Sequence, residues 1–193
     1  EVSSIEIREG TVKAVRVGKK RIVCDAVVGA TDYHHVETKL LNAKWQSYPE
    51  KYWSKRTMSP SALLISLGLN VKVSNLIHHN LFFDAQWDEH FQAIKRWEVI
   101  SDPLFYACVP SKSDTSCAPE GCENIFILVP TAGVDLSEDQ VSKIRSNVLM
   151  RLGERAQLEV EKHIISENIR TSIYFGEMFN AYKNNAFGLT HSL

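Results

Sequence analysis

The sequence predicts an α/β (α+β) fold: a mixed, mostly antiparallel sheet with helices packed on one face, preceded by a small β-meander. Three observations carry this. Short runs of alternating apolar and polar residues recur, separated by turn residues, from residue 4 to residue 130. Two longer segments, about 87 to 97 and 137 to 163, instead place apolar residues at helical spacing. The connections are short, with no internal repeat or low-complexity tract between the runs.

In chain order, "SIEIRE" and "TVKAVRV" alternate as half-buried strands, with turns at Glu9-Gly10 and Gly18-Lys19. "RIVCDAVVGAT" is more continuously apolar and reads as a third strand buried on both faces. Asp32 is placed to cap a helix through "YHHVETKLL", and Pro49 suits the first turn of another short helix. In "SALLISLGLN", Leu63, Ile65, Leu67 and Leu69 share one face of a strand. Ala62, Leu64, Ser66 and Gly68 share the other, a mostly small surface that leaves room for a helix or a ligand. "HHNLFF" is a further strand, and "AQWDEHFQAIKRW" a helix with Trp87, Phe91, Ile94 and Trp97 as its stripe. "LFYACVP" and "NIFILVP" are strands flanking a loop that carries Cys117 and Cys122. A long helix runs from Ser137 to about His163, opened by a Ser137–Gln140 capping box, with Val141, Ile144, Val148, Leu152, Ala156 and Val160 as its apolar stripe. "SIYFGEMFNAYKNNAFG" reads as a strand leading into a short helix.

Composition bounds the function. The chain has 193 residues, 44% hydrophobic and 23% charged, with a formal charge of -1, so nothing in bulk electrostatics favours nucleic acid. No apolar run approaches the roughly 20 residues of a membrane span. Four cysteines in a chain of this size suit a reducing compartment better than a disulfide scaffold. No two of the nine glycines lie close enough for a dinucleotide fingerprint or a P-loop, and neither G-x-S-x-G nor H-E-x-x-H occurs. Cys108, Cys117 and Cys122 lack the second close pair of a zinc knuckle, so their sulfurs are expected to pack and no metal site is expected. The pairs His34-His35 and His78-His79, if each lies in a strand, point to opposite faces and do not share an ion. "KLLNAKWQSYPEKYWSKR" mixes Trp45, Tyr48, Tyr52 and Trp53 with lysines and an arginine. That pattern suits either a membrane surface or a core segment with snorkelling lysines. The chain opens without Met and closes without an evident final element, and reads as part of a longer protein.

Several stretches together resemble one family. "IREGTVKAVRVGKKRIVCDAVVGATD", ending in D-x-V-V-x-x-x-D, is similar to a run of strands general to flavin amine oxidoreductases. "SALLISLGLN", "LIHHNLFF", "FYACVPSKSDTSCAPEGCENIFILVP" and "FNAYKNNAFGL" occur in the order found in bacterial-type phytoene desaturases, the carotenoid desaturase/isomerase branch of that superfamily. A-P-E-G-C, the paired histidines and N-A-Y-x-x-x-A-F are the more specific marks. The resemblance implies an FAD-dependent parent. Its G-x-G-x-x-G and H-P-G-x-G-x-P stretches are not in this chain, so no FAD and no turnover are expected of the chain alone. It implies that residues 1–32 finish FAD-domain strands, 33–172 form a substrate-binding domain, and 173–193 return toward the FAD domain. The implied partner is phytoene or a related polyene, held in a dry tunnel while a flavin accepts hydride. Tunnel-lining candidates are Ser66, Gly68, Phe82, Phe105 and Phe126. Membrane-docking candidates are Trp45, Tyr48, Tyr52 and Trp53. No catalytic side chain is assigned. A cytoplasmic location, peripheral on the inner membrane face, and dimerisation through exposed apolar surface are further expectations. The alternatives are a stand-alone isoprenoid-binding module, an inert assembly subdomain, or part of a related carotenoid isomerase, oxygenase or retinol saturase.

Overall fold

The computed structural model describes residues 1–100 and 102–190; position 101, within the 33–172 span, and positions 191–193, at the end of the 173–193 segment, lie outside the described residues. The chain forms two units, Glu1–Ser59 with Phe175–Leu193, and Pro60–Tyr174.

In the first unit, β1 (Ser4–Arg8), β2 (Thr11–Val17) and β3 (Lys20–Val23) form an antiparallel meander. Glu9 and Gly10 take φ of 52° and 76°, the left-handed pair that a tight two-residue hairpin turn needs. The strand expected to be buried on both faces is shorter and exposed. β3 pairs only with β2, all four of its residues are exposed, and the apolar stretch after it forms no regular element. Its continuity in apolar residues belonged partly to a loop. Asp32 does cap: its Oδ1 accepts the His35 amide at 3.2 Å, opening α1 (Tyr33–His35), which runs on as a π-helical turn over Val36–Leu40. Asn185 donates to the other Asp32 oxygen at 3.1 Å, so D-x-V-V-x-x-x-D and N-A-Y-x-x-x-A-F, far apart in sequence, meet. Buried Glu37 accepts the amides of Ser47 and Tyr48 at 2.6 and 3.3 Å, which fixes the entry to α2 (Glu50–Ser54). Pro49 is the residue before that helix, one position earlier than expected.

The second unit is built on a five-stranded sheet of order β5-β6-β7-β4-β8, antiparallel throughout. Its centre is β4 (Ser61–Leu69) against β7 (Glu123–Thr131), paired along all nine residues of each. β5 (His79–Phe82), β6 (Phe105–Cys108) and β8 (Ile164–Arg170) complete it. Leu63, Ile65, Leu67 and Leu69 face a core shared with Ile125, Ile127 and Val129. Ile144, Val148, Leu149, Leu152 and Ala156 of α4 (Glu138–Ala156) complete this core. Each leucine, isoleucine or valine among these, removed from water, contributes roughly 1.5–3 kcal/mol.

α4 has the expected capping box, with both reciprocal hydrogen bonds made. It ends seven residues early. Gln157 turns left-handed at φ 53°, and the Leu158 carbonyl lies where a Cβ on Gly153 would meet it at 2.8 Å. Val160 still reaches the core, but from a 3-10 turn, so the apolar period outruns the helix. β8 follows, a strand that the sequence does not announce, because most of its residues are exposed and "IISENIR" carries little alternation. α3 (Trp87–Arg96) forms where expected, but its stripe does not enter the core: Trp87 and Trp97 are exposed, and the buried residue is His90. The His90 Nδ1 accepts the Leu104 amide at 2.9 Å, and burial pushes its pKa down, keeping the ring neutral. The stretch expected as a strand before a short helix is helical from its start, as α5 (Ser172–Phe179).

Candidate functional site: the open face of the five-stranded sheet

Strand alternation divides this sheet into two faces. α4 and the core cover one. On the other, cross-strand register lines up His79, Cys108, Phe126, Ser66 and Asn168 in one row. Leu81, Tyr106, Leu128, Leu64 and Arg170 form the row beside it. None of these ten residues is buried. A groove of about 510 Å³ crosses the face, lined by Ser66, Gly68, Phe126, Cys117, Cys122 and Asn168 among others. Of the small face expected on β4, the structure leaves Leu64, Ser66 and Gly68 uncovered, while Ala62 is buried. A Cβ on Gly68 would meet Ser166 Oγ of β8 at 2.5 Å, so the strands approach most closely where the side chain is missing.

The five tunnel candidates divide between the faces. Ser66, Gly68 and Phe126 lie together in the groove. Phe82 and Phe105 lie on the opposite face, buried and stacked on each other at 4.1 Å between centroids. There the Arg151 guanidinium sits 5.0 Å over the Phe105 ring. Arg151 is itself buried, donates to Pro103 O at 2.6 Å and pairs with Asp84 and Asp102. Of the aromatic candidates in the first unit, Trp53 is fully buried, ringed by Tyr33, Tyr48 and Tyr52. Trp45 and Tyr48 are half-buried, Lys44 lies 4.6 Å over the Trp45 ring, and Tyr52 stacks on Tyr48.

The cysteines do not pack into the core. Cys117 is exposed, Cys108 and Cys122 are half-buried, and all are free thiols. Alternation in β6 turns Cys108 to the open face, and the loop carrying the other two borders the groove. A residue that no motif singles out is Glu123, just after that loop. Its side chain is wholly buried at the start of β7, yet it accepts Ser111 Oγ at 2.5 Å and the Val73 amide at 3.1 Å. It also pairs with Lys112 at 2.8 Å and Lys72 at 3.4 Å. Burial alone would raise its pKa; Lys112, Ser111 and the Val73 amide outweigh it and hold the group at about 2. The one signal for it in the sequence is a carboxylate opening an otherwise apolar strand.

Four of the five α-helices among the described residues carry a carboxylate at the N-terminus, where it takes the place an anion would favour: Asp32 before α1, Glu50 in α2, Asp88 and Glu89 in α3, Glu138 and Asp139 in α4; α5 has none in its first turn. Among the described residues, no helix is long and apolar enough to cross a membrane.

No family model matches the chain. Curated relatives do. A carotenoid 3,4-desaturase of Haloarcula japonica is 37% identical over 88% of this chain and 34% of its own length. A 4,4'-diapolycopene oxygenase of Methylomonas sp is 29% identical over 98% of this chain and 39% of its own length. Among solved structures, an oxidoreductase from Methanosarcina mazei matches with a TM-score of 0.50 over 88% of this chain and 36% of its own, at 16% identity, a likeness of fold. The chain thus spans little more than a third of the proteins it matches, and over nearly all of its own length it is a homologue of the carotenoid desaturases.

Proposed function

We propose that this chain is the polyene-holding part of an FAD-dependent carotenoid desaturase, and that the open face of the five-stranded sheet is the wall against which the polyene lies. The single observation behind this reading is the groove through Ser66, Gly68 and Phe126. It is small-floored at Ser66 and Gly68 and mostly apolar, with Asn124, Ser166 and Asn168 among its polar lining residues. A rod-like hydrocarbon needs such a surface, since it offers no hydrogen bond and gains only from area removed from water. In this reading FAD is held by parts of a longer protein that carry the G-x-G-x-x-G and H-P-G-x-G-x-P stretches not found in this sequence, and the rest of the work falls to this chain's own residues. Their role here is to hold and orient the polyene. The oxygenase among the relatives shares the scaffold, so the reading extends to the substrate class and not to a number of desaturation steps.

The test is titration of the chain with a C40 polyene in detergent micelles, followed by quenching of tryptophan fluorescence. Saturable quenching, weakened at least about tenfold in Phe126→Asp, supports the reading; that loss is about 1.4 kcal/mol. Linear quenching, or equal affinity in the variant, sinks it.

A further inference from the structure

The two histidines expected to diverge converge. His78 lies in the bend before β5 and only His79 is in the strand, so strand alternation does not separate them. Their ring centroids are 4.2 Å apart, and Cys108 sits opposite His79 across the β5–β6 pair. One ligand atom from each of His78, His79 and Cys108 lies within 4.8 Å of the others. A tetrahedral zinc site holds its ligand atoms roughly 3.3–3.8 Å apart, given Zn–N of about 2.0 and Zn–S of about 2.3 Å. The gap is about one ångström, within reach of a side-chain rotation at exposed His79.

The surroundings carry the second half of the case. His78 Nδ1 shares a hydrogen bond with Ser113 Oγ at 2.7 Å, and His79 Nδ1 shares one with Tyr106 Oη at 2.6 Å. Among the described residues, each ring's other nitrogen has no hydrogen-bond partner. A partner on one ring nitrogen fixes the tautomer and orientation that let the other coordinate, as in metal-bound histidines generally.

We propose that His78, His79 and Cys108 form a binding site for a borderline-soft divalent metal, Zn²⁺ or its like, with a water in the fourth position. Two imidazoles and a thiolate are the donor set such ions prefer, and three ligands with one open place is a geometry they accept. The consequence for the fold is local. β5 is a four-residue edge strand paired only with β6. A metal there pins that edge to β6 and, through Ser113, to the loop beyond it. The inference stands on these side chains alone and is independent of the polyene reading.

Cobalt titration of the whole chain is the experiment. One equivalent of Co²⁺ should give a thiolate-to-cobalt charge-transfer band that Zn²⁺ bleaches. Cys108→Ala should abolish it, and the double variant Cys117→Ala/Cys122→Ala should keep it. Tyr106→Phe and Ser113→Ala, which keep all three ligands, should each weaken affinity by about 10–100-fold. Zn²⁺ should raise the Tm of the parent chain and leave that of Cys108→Ala unchanged. The proposal fails if the parent chain shows no thiolate band, if Cys108→Ala retains it, or if the double variant loses it. Should Cys108→Ala not fold, His79→Gln decides the matter: a tenfold or greater loss supports the site, and unchanged affinity overturns it.

Discussion

The two faces of the five-stranded sheet are made from the same strands, one residue out of step, and they obey different rules. On the core face Ile127 and Phe105 are almost fully removed from water, within the core that α4 completes, and Phe105 is stacked on Phe82. On the open face their neighbours Phe126 and Tyr106 keep partial exposure beside small residues and a groove. Adjacent residues in one strand therefore belong to the core on one side and, in the function proposed above, to polyene binding on the other. The difference comes from what covers each face and from the side chains themselves: the core face is aliphatic and aromatic, while the open face mixes His79, Ser66, Asn168 and Arg170 among apolar residues.

The sharpest way to break this comparison is one charge placed on each side. Ile127→Asp buries an unpaired carboxylate in the core and is expected to cost more than about 4 kcal/mol, unfolding the second unit at ordinary temperature. Phe126→Asp, the adjacent residue, should shift the melting transition little. Thermal melts followed by circular dichroism compare them, and equal destabilisation would mean the open face is also a core.

The next effect concerns Glu123, which clamps the start of β7 to the loops on either side. Its carboxylate, at about 2 in the folded chain against an ordinary 4.5, is ionised more readily folded than unfolded. A lowered pKa of this kind stabilises the fold fully above the ordinary value, and the stabilisation is lost as pH falls from about 5 toward 2. Its size is on the order of 3 kcal/mol. Glu123→Gln should flatten that acid limb in urea unfolding measured across the window, while the parent chain loses stability steeply. Parallel curves for the two would remove Glu123 from this role.

The smallest expected effect sharpens the boundary of the groove. Leu64→Thr, in the row beside Ser66, should change stability by less than about 1 kcal/mol while lowering polyene affinity, because its side chain is half-exposed. A loss as large as that of a core leucine, about 2–5 kcal/mol in the same urea assay, would redraw the boundary.

Much of this was legible in the residues. The alternation in "SALLISLGLN" separated a leucine face from a small face, and the structure uses them as core and groove. The capping box at Ser137 and the stripe of α4 were equally direct, because helix caps and helical period are local. Phe82 and Phe105 were not placeable. β6 reads Phe-Tyr-Ala-Cys, aromatic at two successive positions, and only pairing with β5 and β7 decides which one faces inward. The same holds for His78 and His79, whose convergence depends on β5 starting one residue later than the run of residues suggested.

Period, capping and motif are properties of the linear chain. They suffice for the kind of most elements, their order, the apolar faces of β4 and α4, and the similarity to carotenoid desaturases. Which sheet face is covered and where α4 stops were decided only in three dimensions. So were the pairing of β8 at the sheet edge, the buried partners of Glu123, and the meeting of two histidines and a cysteine in one place. Each of these depends on residues distant in sequence coming together in space, and a linear pattern carries no record of that meeting.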